Sequence, residues 1–169
     1  MILHPKASRH FLSNYSVLLG QVHLLTEGEK EIEMMKMLHK SRVAIVNNPS
    51  LVEAAALSLE SRGHSVAEDV VEAIQSLRVR KWIYLRDTTR YSIFIDPDGK
   101  DAYGVLGLTE PLRDIVGGTG LVIETGLVRF RDAYACDGIM ANPIWLGANY
   151  KRDYADLFKS LKASGHFHV

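Results

Sequence analysis

The chain has 169 residues, the length of one ordinary domain, and a compact domain of that size buries about 70% of its unfolded surface without help from disulfides or metal. Apolar residues at 47% and charged residues at 24% argue against disorder, and twenty Lys and Arg against twenty Asp and Glu leave no global field to draw the chain onto nucleic acid or an anionic membrane. The single cysteine, Cys136, excludes an internal disulfide framework and a multi-cysteine zinc site.

Met1 to Arg9 is short and polar and reads as no targeting segment. The apolar stretch Val17–Leu25 is interrupted by Gln21 and His23, and no run reaches the roughly 18 apolar residues of a membrane span, so a cytoplasmic protein is expected.

The first half reads as helix. Phe11, Leu12, Tyr15, Leu18, Leu19, Val22 and Leu25 fall at i, i+3, i+4 spacing and predict a helix over Ser8–Leu25. Gly20 weakens it by about 1 kcal/mol relative to alanine. A second helix is expected over Glu29–Lys40, with Ile32, Met35 and Leu38 on one face, acids at its start and bases at its end. Arg42–Asn48 reads either as helix or as strand. Asn48-Pro49 predicts an N-cap and first-turn proline for a third helix, Ser50 to about Arg62, closed by Gly63. Ser65 with Glu68 has the spacing of a capping box opening a fourth helix through Leu77. The segment from Arg42 to Val66 also resembles the opening strand–helix–strand unit of a response-regulator receiver. That resemblance covers about 25 residues. It departs at Asn47 and Asn48, where a receiver holds metal with acids, and the rest of the chain does not continue the alternation. The helical reading therefore fits this segment better than the receiver unit.

From Lys81 the pattern turns to strands. Trp82–Leu85, Tyr91–Ile95 and Tyr103–Leu108 alternate aromatic and branched residues, with Asp96-Pro-Asp-Gly99 as a turn between the second and third. Glu110–Val116 reads as a short helical turn and Gly117-Gly-Thr-Gly120 as a loop. Leu121–Thr125, Leu127–Phe130 and Ala133–Cys136 complete the strands, Asn142-Pro143 marks a loop anchored by Trp145, and Asn149 caps a last helix over Tyr150–Ala163. The expectation is an α+β protein and a single domain over 1–169. It has a mainly helical part over 1–80, an antiparallel meander of five or six strands over 81–140, and a C-terminal helix over 149–164 packed on the sheet.

Chemistry-bearing signals are sparse. The Asp96–Asp101 turn has glycine at its fourth position, not the sixth that a calcium loop needs. Gly117–Gly120 is followed by a strand pattern and not by the Lys-Ser/Thr of a phosphate loop. Cys136 reads as a buried structural thiol and His166-Phe-His168 as a frayed end. No catalytic set, metal set or cofactor signature is identified. The candidate binding residues are Arg78, Arg80, Lys81, Trp82, Arg86 and Arg90 around the first hairpin, with Tyr84 and Tyr91 interleaved, and Arg129 and Arg131, expected to share a strand face. The competing account pairs these arginines with Asp87, Asp96, Glu124 and Asp132 across the sheet.

Three functions are therefore weighed. The first is a non-enzymatic binding or interaction module, with a protein partner or a second copy of the chain met through Met34, Met35 and Met37. The second is a nucleic-acid-associated regulator using the basic-aromatic hairpin 78–91. The third is a small hydrolase-like enzyme, which requires Glu124 or the Asp96–Asp101 acids to converge on a pocket.

Overall fold

A computed structural model describes residues 1–169, which form two compact units: Pro5–Leu77, and Met1–His4 together with Arg78–Val169.

The first unit is a four-helix assembly. Helix α1 (Pro5–Glu27) buries Phe11, Tyr15, Leu18, Leu19 and Val22, the stripe its spacing predicts, and packs against α2 (Met34–Asn47), α3 (Ser50–Glu60) and α4 (Glu68–Gln75). Gly20 is tolerated in α1. The second helix starts later than expected, so Glu29, Glu31 and Ile32 lie in the connector and Met34 and Met35 are exposed. Arg42–Asn47 is helical, and with it the receiver-like strand reading falls. The Ser65–Glu68 capping box does not form. The N–H of Ala67 donates instead to Asn14 Oδ1 of α1 at 2.8 Å, a tertiary cap in place of a local one.

The second unit is built on a mixed sheet, which corrects the expected antiparallel meander. Strand β1 (Arg78–Asp87) pairs antiparallel with β2 (Ser92–Ile95) on one edge and with β4 (Leu121–Phe130) on the other. Strand β3 (Ala102–Leu106) pairs antiparallel with β2, and β5 (Ala133–Trp145) antiparallel with β4. β5 then meets β3 in parallel at Val105↔Tyr134 and Leu106↔Ala135. These pairings close a five-strand ring in the order β2-β1-β4-β5-β3-β2. The short helix α5 (Leu112–Val116) sits in the connection from β3 to β4. That connection carries the chain across the barrel, so β4 returns to the free edge of β1 instead of lying beside β3. A parallel pair needs such a crossover, and closure leaves no free sheet edge within the ring.

Alternation along the strands sorts the barrel's two faces. Trp82, Tyr84, Phe94, Tyr103, Leu121 and Ile123 fill the interior, with Leu112 of α5 packed among them. Ile83, Leu85, Ile93 and Ile95 point outward and are covered by Phe158 and Leu161 of α6 (Ala148–Ala163). A sixth strand, β6 (Phe167–His168), extends parallel along β3 where a frayed end was expected. β5 also runs on through the predicted Asn142-Pro143 loop. It does so with Gly138 and Asn142 at φ 85° and 54° and with shifts of register against β4. The buried Asp137 carboxylate accepts the N–H groups of Gly126 and Ile139 at 3.2 and 3.0 Å, which satisfies backbone donors that the irregular ladder leaves over. No helix of the chain is long and apolar enough to cross a membrane.

Candidate ligand-binding cleft

The end of β1 departs from simple alternation. Tyr84 faces Phe94, but the next aligned pair is Arg86 with Ile93, so Leu85 is bulged. A bulge sets two successive residues on one side of the strand, here Leu85 and Arg86 outward, and restores Asp87 to the inner side opposite Ser92. Asp87 Oδ1 there accepts the hydroxyls of Tyr84 and Ser92, each at 2.7 Å. Burial pushes the Tyr84 hydroxyl well above the ordinary tyrosine value, so it stays a neutral donor.

The β1–β2 turn is braced by hydrogen bonds. Thr88 N–H and Oγ1 both donate to the Tyr91 carbonyl, at 2.8 and 2.9 Å, and the same Oγ1 accepts Arg90 and Tyr91 N–H at 3.2 and 3.0 Å. This braced turn, the outer ends of β1 and β2, the last turns of α6 and β6 enclose a cleft of about 380 Å³. Its walls are apolar: Tyr91, Ile93, Phe158, Phe167 and Val169. Its cations are Arg86, Arg90 and Lys162, and no carboxylate side chain lines it. The Arg86 guanidinium lies 5.8 Å from the centre of the Phe158 ring. None of the three cations makes an ion pair, whereas Lys159, one turn earlier, is held by Asp156 at 2.8 Å.

The other predicted binding residues are placed elsewhere. Arg80 is held by Asp96 at 2.9 Å and Asp98 at 3.4 Å, as the pairing account expected. Arg78 donates to the Tyr103 hydroxyl at 3.0 Å. Lys81 stands opposite Glu124 in the β1–β4 register. Trp82 is sealed inside the barrel, where its indole N–H donates to the Thr125 carbonyl at 3.0 Å, and presents no face to a ligand. Arg129 and Arg131 do not share a strand face: β4 ends at Phe130, and Arg131 turns at φ 55° to lie over the Phe130 ring. Only Arg86 and Arg90 of the eight reach the cleft. Lys162, Phe158 and Phe167 were missed because nothing local links residues 158–167 to the first hairpin. Only the packing of α6 and the pairing of β6 with β3 do so.

The acids do not converge. Glu124 is half-exposed within hydrogen-bond reach of Asn142, Asp96 and Asp98 hold Arg80, and Asp101 accepts His168 at 2.8 Å and His166 at 3.2 Å. Cys136 is buried with its sulfur 3.1 Å from the Thr125 hydroxyl. A second cleft, of about 360 Å³, lies in the helical unit between the end of α1, the connector and α2. It has mixed charge, with Lys30, Lys36 and Lys40 against Glu27, Glu31 and Glu33. The chain matches no protein-family model, and no curated protein or solved structure is significantly similar to it.

Proposed function

We propose that the chain is a non-enzymatic binding module whose barrel takes single-stranded nucleic acid at the cleft beside the β1–β2 turn. The observation that carries this reading is the set of three unpaired cations, Arg86, Arg90 and Lys162, around aromatic and aliphatic walls. Such a site meets phosphates with guanidinium and ammonium groups and offers bases an apolar, partly aromatic surface, the combination that holds single strands with little sequence preference. The architecture is compatible with it. A five-strand Greek-key barrel with a helix before its fourth strand is the plan of the small barrels that bind oligonucleotides and oligosaccharides at their second and third strands and first turn. That likeness is one of fold; the cleft carries the function.

Fluorescence anisotropy with a labelled oligo-dT tests it. Replacing Arg86, Arg90 and Lys162 together by alanine should weaken binding by roughly tenfold or more at low salt. The melting temperature should stay near that of the wild type, since all three side chains are exposed. Equal affinity of the triple variant and the wild type would remove the cleft from the binding surface.

A further inference from the structure

On the other flank of β1 lies the loop from α5 to β4, Gly117-Gly-Thr-Gly120. Gly118 and Gly120 sit at φ 150° and 77°, where side chains are strained. The Trp145 ring and the Lys151 stem also lie close over these two glycines. A methyl on Gly118 would come within 2.9 Å of the six-membered ring of Trp145, and one on Gly120 within 2.5 Å of Lys151 Cε. The Trp145 ring and the Lys151 stem thus lie directly against the loop backbone. Trp145 nonetheless stays 54% exposed. Lys151 is exposed and has no ion-pair partner, while its neighbour Arg152 is 3.9 Å from Asp153. The loop is tied to β1, because Gly120 N–H donates to the Tyr84 carbonyl at 2.9 Å.

We infer that Trp145 and Lys151 form a second contact for a single strand, the indole stacking a base and the ammonium meeting an adjoining phosphate. This rests on the reading of the cleft as a single-strand site. Tyr84, whose carbonyl holds this loop, lies two residues from Arg86 across the bulge at Leu85, so the same end of β1 carries both contacts and a strand crossing it can meet the two. Charge favours this occupant over an apolar protein segment: a hydrocarbon surface laid on Trp145 would strip water from the Lys151 ammonium and give nothing in return.

The two tryptophans make the test direct. Trp82 is sealed in the barrel, so quenching of emission on binding reports Trp145. Oligo-dT of about 4 to about 16 nucleotides, the range such barrels cover, is titrated into the wild type, Trp145→Ala, Trp145→Phe and Lys151→Ala. The longer strands should quench the wild type, and Trp145→Ala should bind the longest roughly 5- to 30-fold more weakly. Trp145→Phe should retain most of the affinity, and Lys151→Ala should lose a few-fold. Unquenched emission at saturation, or wild-type affinity in Trp145→Ala, overturns the second contact. If that happens while the Arg86, Arg90 and Lys162 triple variant still loses binding, the cleft stands and only this contact falls. If no strand binds the wild type, both fall together.

Discussion

Single residues in this protein owe their roles to their partners. Arg80 and Arg86 have the same chemistry six positions apart. Arg80 is held by Asp96 and Asp98, while the bulge at Leu85 turns Arg86 outward beside Phe158. Asp101 is the clearest titrating case. The hydrogen bond from His168, and then that from His166, holds its carboxyl below the ordinary carboxylate value. A folded value below the unfolded one means stability that is present above about pH 4 and is lost as pH falls through the lowered value. Asp101→Asn should therefore melt below the wild type at pH 5–6, by less than about 1 kcal/mol because the pairs are solvent-screened. The two proteins should converge in acid. Thermal melts across that range check it, and a difference that does not change with pH would refute the assignment.

At the scale of elements, α6 both covers the outer face of β1 and β2 and supplies a wall of the cleft. Phe158 is 5% exposed, packs on Ile83, Leu85, Ile93 and Ile95, and meets Phe167 of β6 edge to face at 5.2 Å. Phe158→Ala should cost about 3 kcal/mol in urea unfolding. It should also weaken the proposed single-strand binding, since the ring under Arg86 goes with it. Lys159→Ala, on the solvent side of the same helix, should stay within about 0.5 kcal/mol of the wild type. Similar losses in the two variants would mean that α6 is not seated on the barrel as described. Most elements were legible in advance: the α1 stripe, the Asp-Pro-Asp-Gly turn, α5 and α6 all follow local pattern. Boundaries moved where a tertiary partner replaced a local one, as when Asn14 capped α4 in place of Ser65.

At the scale of the whole molecule, twenty basic and twenty acidic groups cancel, so binding should depend on the few cations at the site and not on a general field. Each phosphate neutralised on a single strand contributes about 0.7 to the slope of log affinity against log salt, so the three cleft cations predict a slope near −2, and Lys151 takes it to about −3. Anisotropy titrations at several salt concentrations measure this. A slope steeper than about −5 would require phosphate contacts outside both sites. The lack of net charge also explains why composition argued against nucleic acid while the barrel presents a small basic cleft: an average over the chain does not register three side chains that packing leaves unpaired.

The sequence by itself determined where most of the helices and strands lie and which stripe α1 buries, because periodicity, turn chemistry and glycine punctuation act over a few residues. It also carried the α+β class and the basic-aromatic character of the first hairpin. Ring closure, the parallel approach of β5 to β3, and the fate of each arginine were decided only in three dimensions. Pairing two distant strands leaves no local mark. The bulge that turns Arg86 outward is a property of two strands in register. The partner of Arg86 and Arg90 in the cleft, Lys162, stands more than seventy residues away and reaches them only because α6 lies over the barrel's outer face.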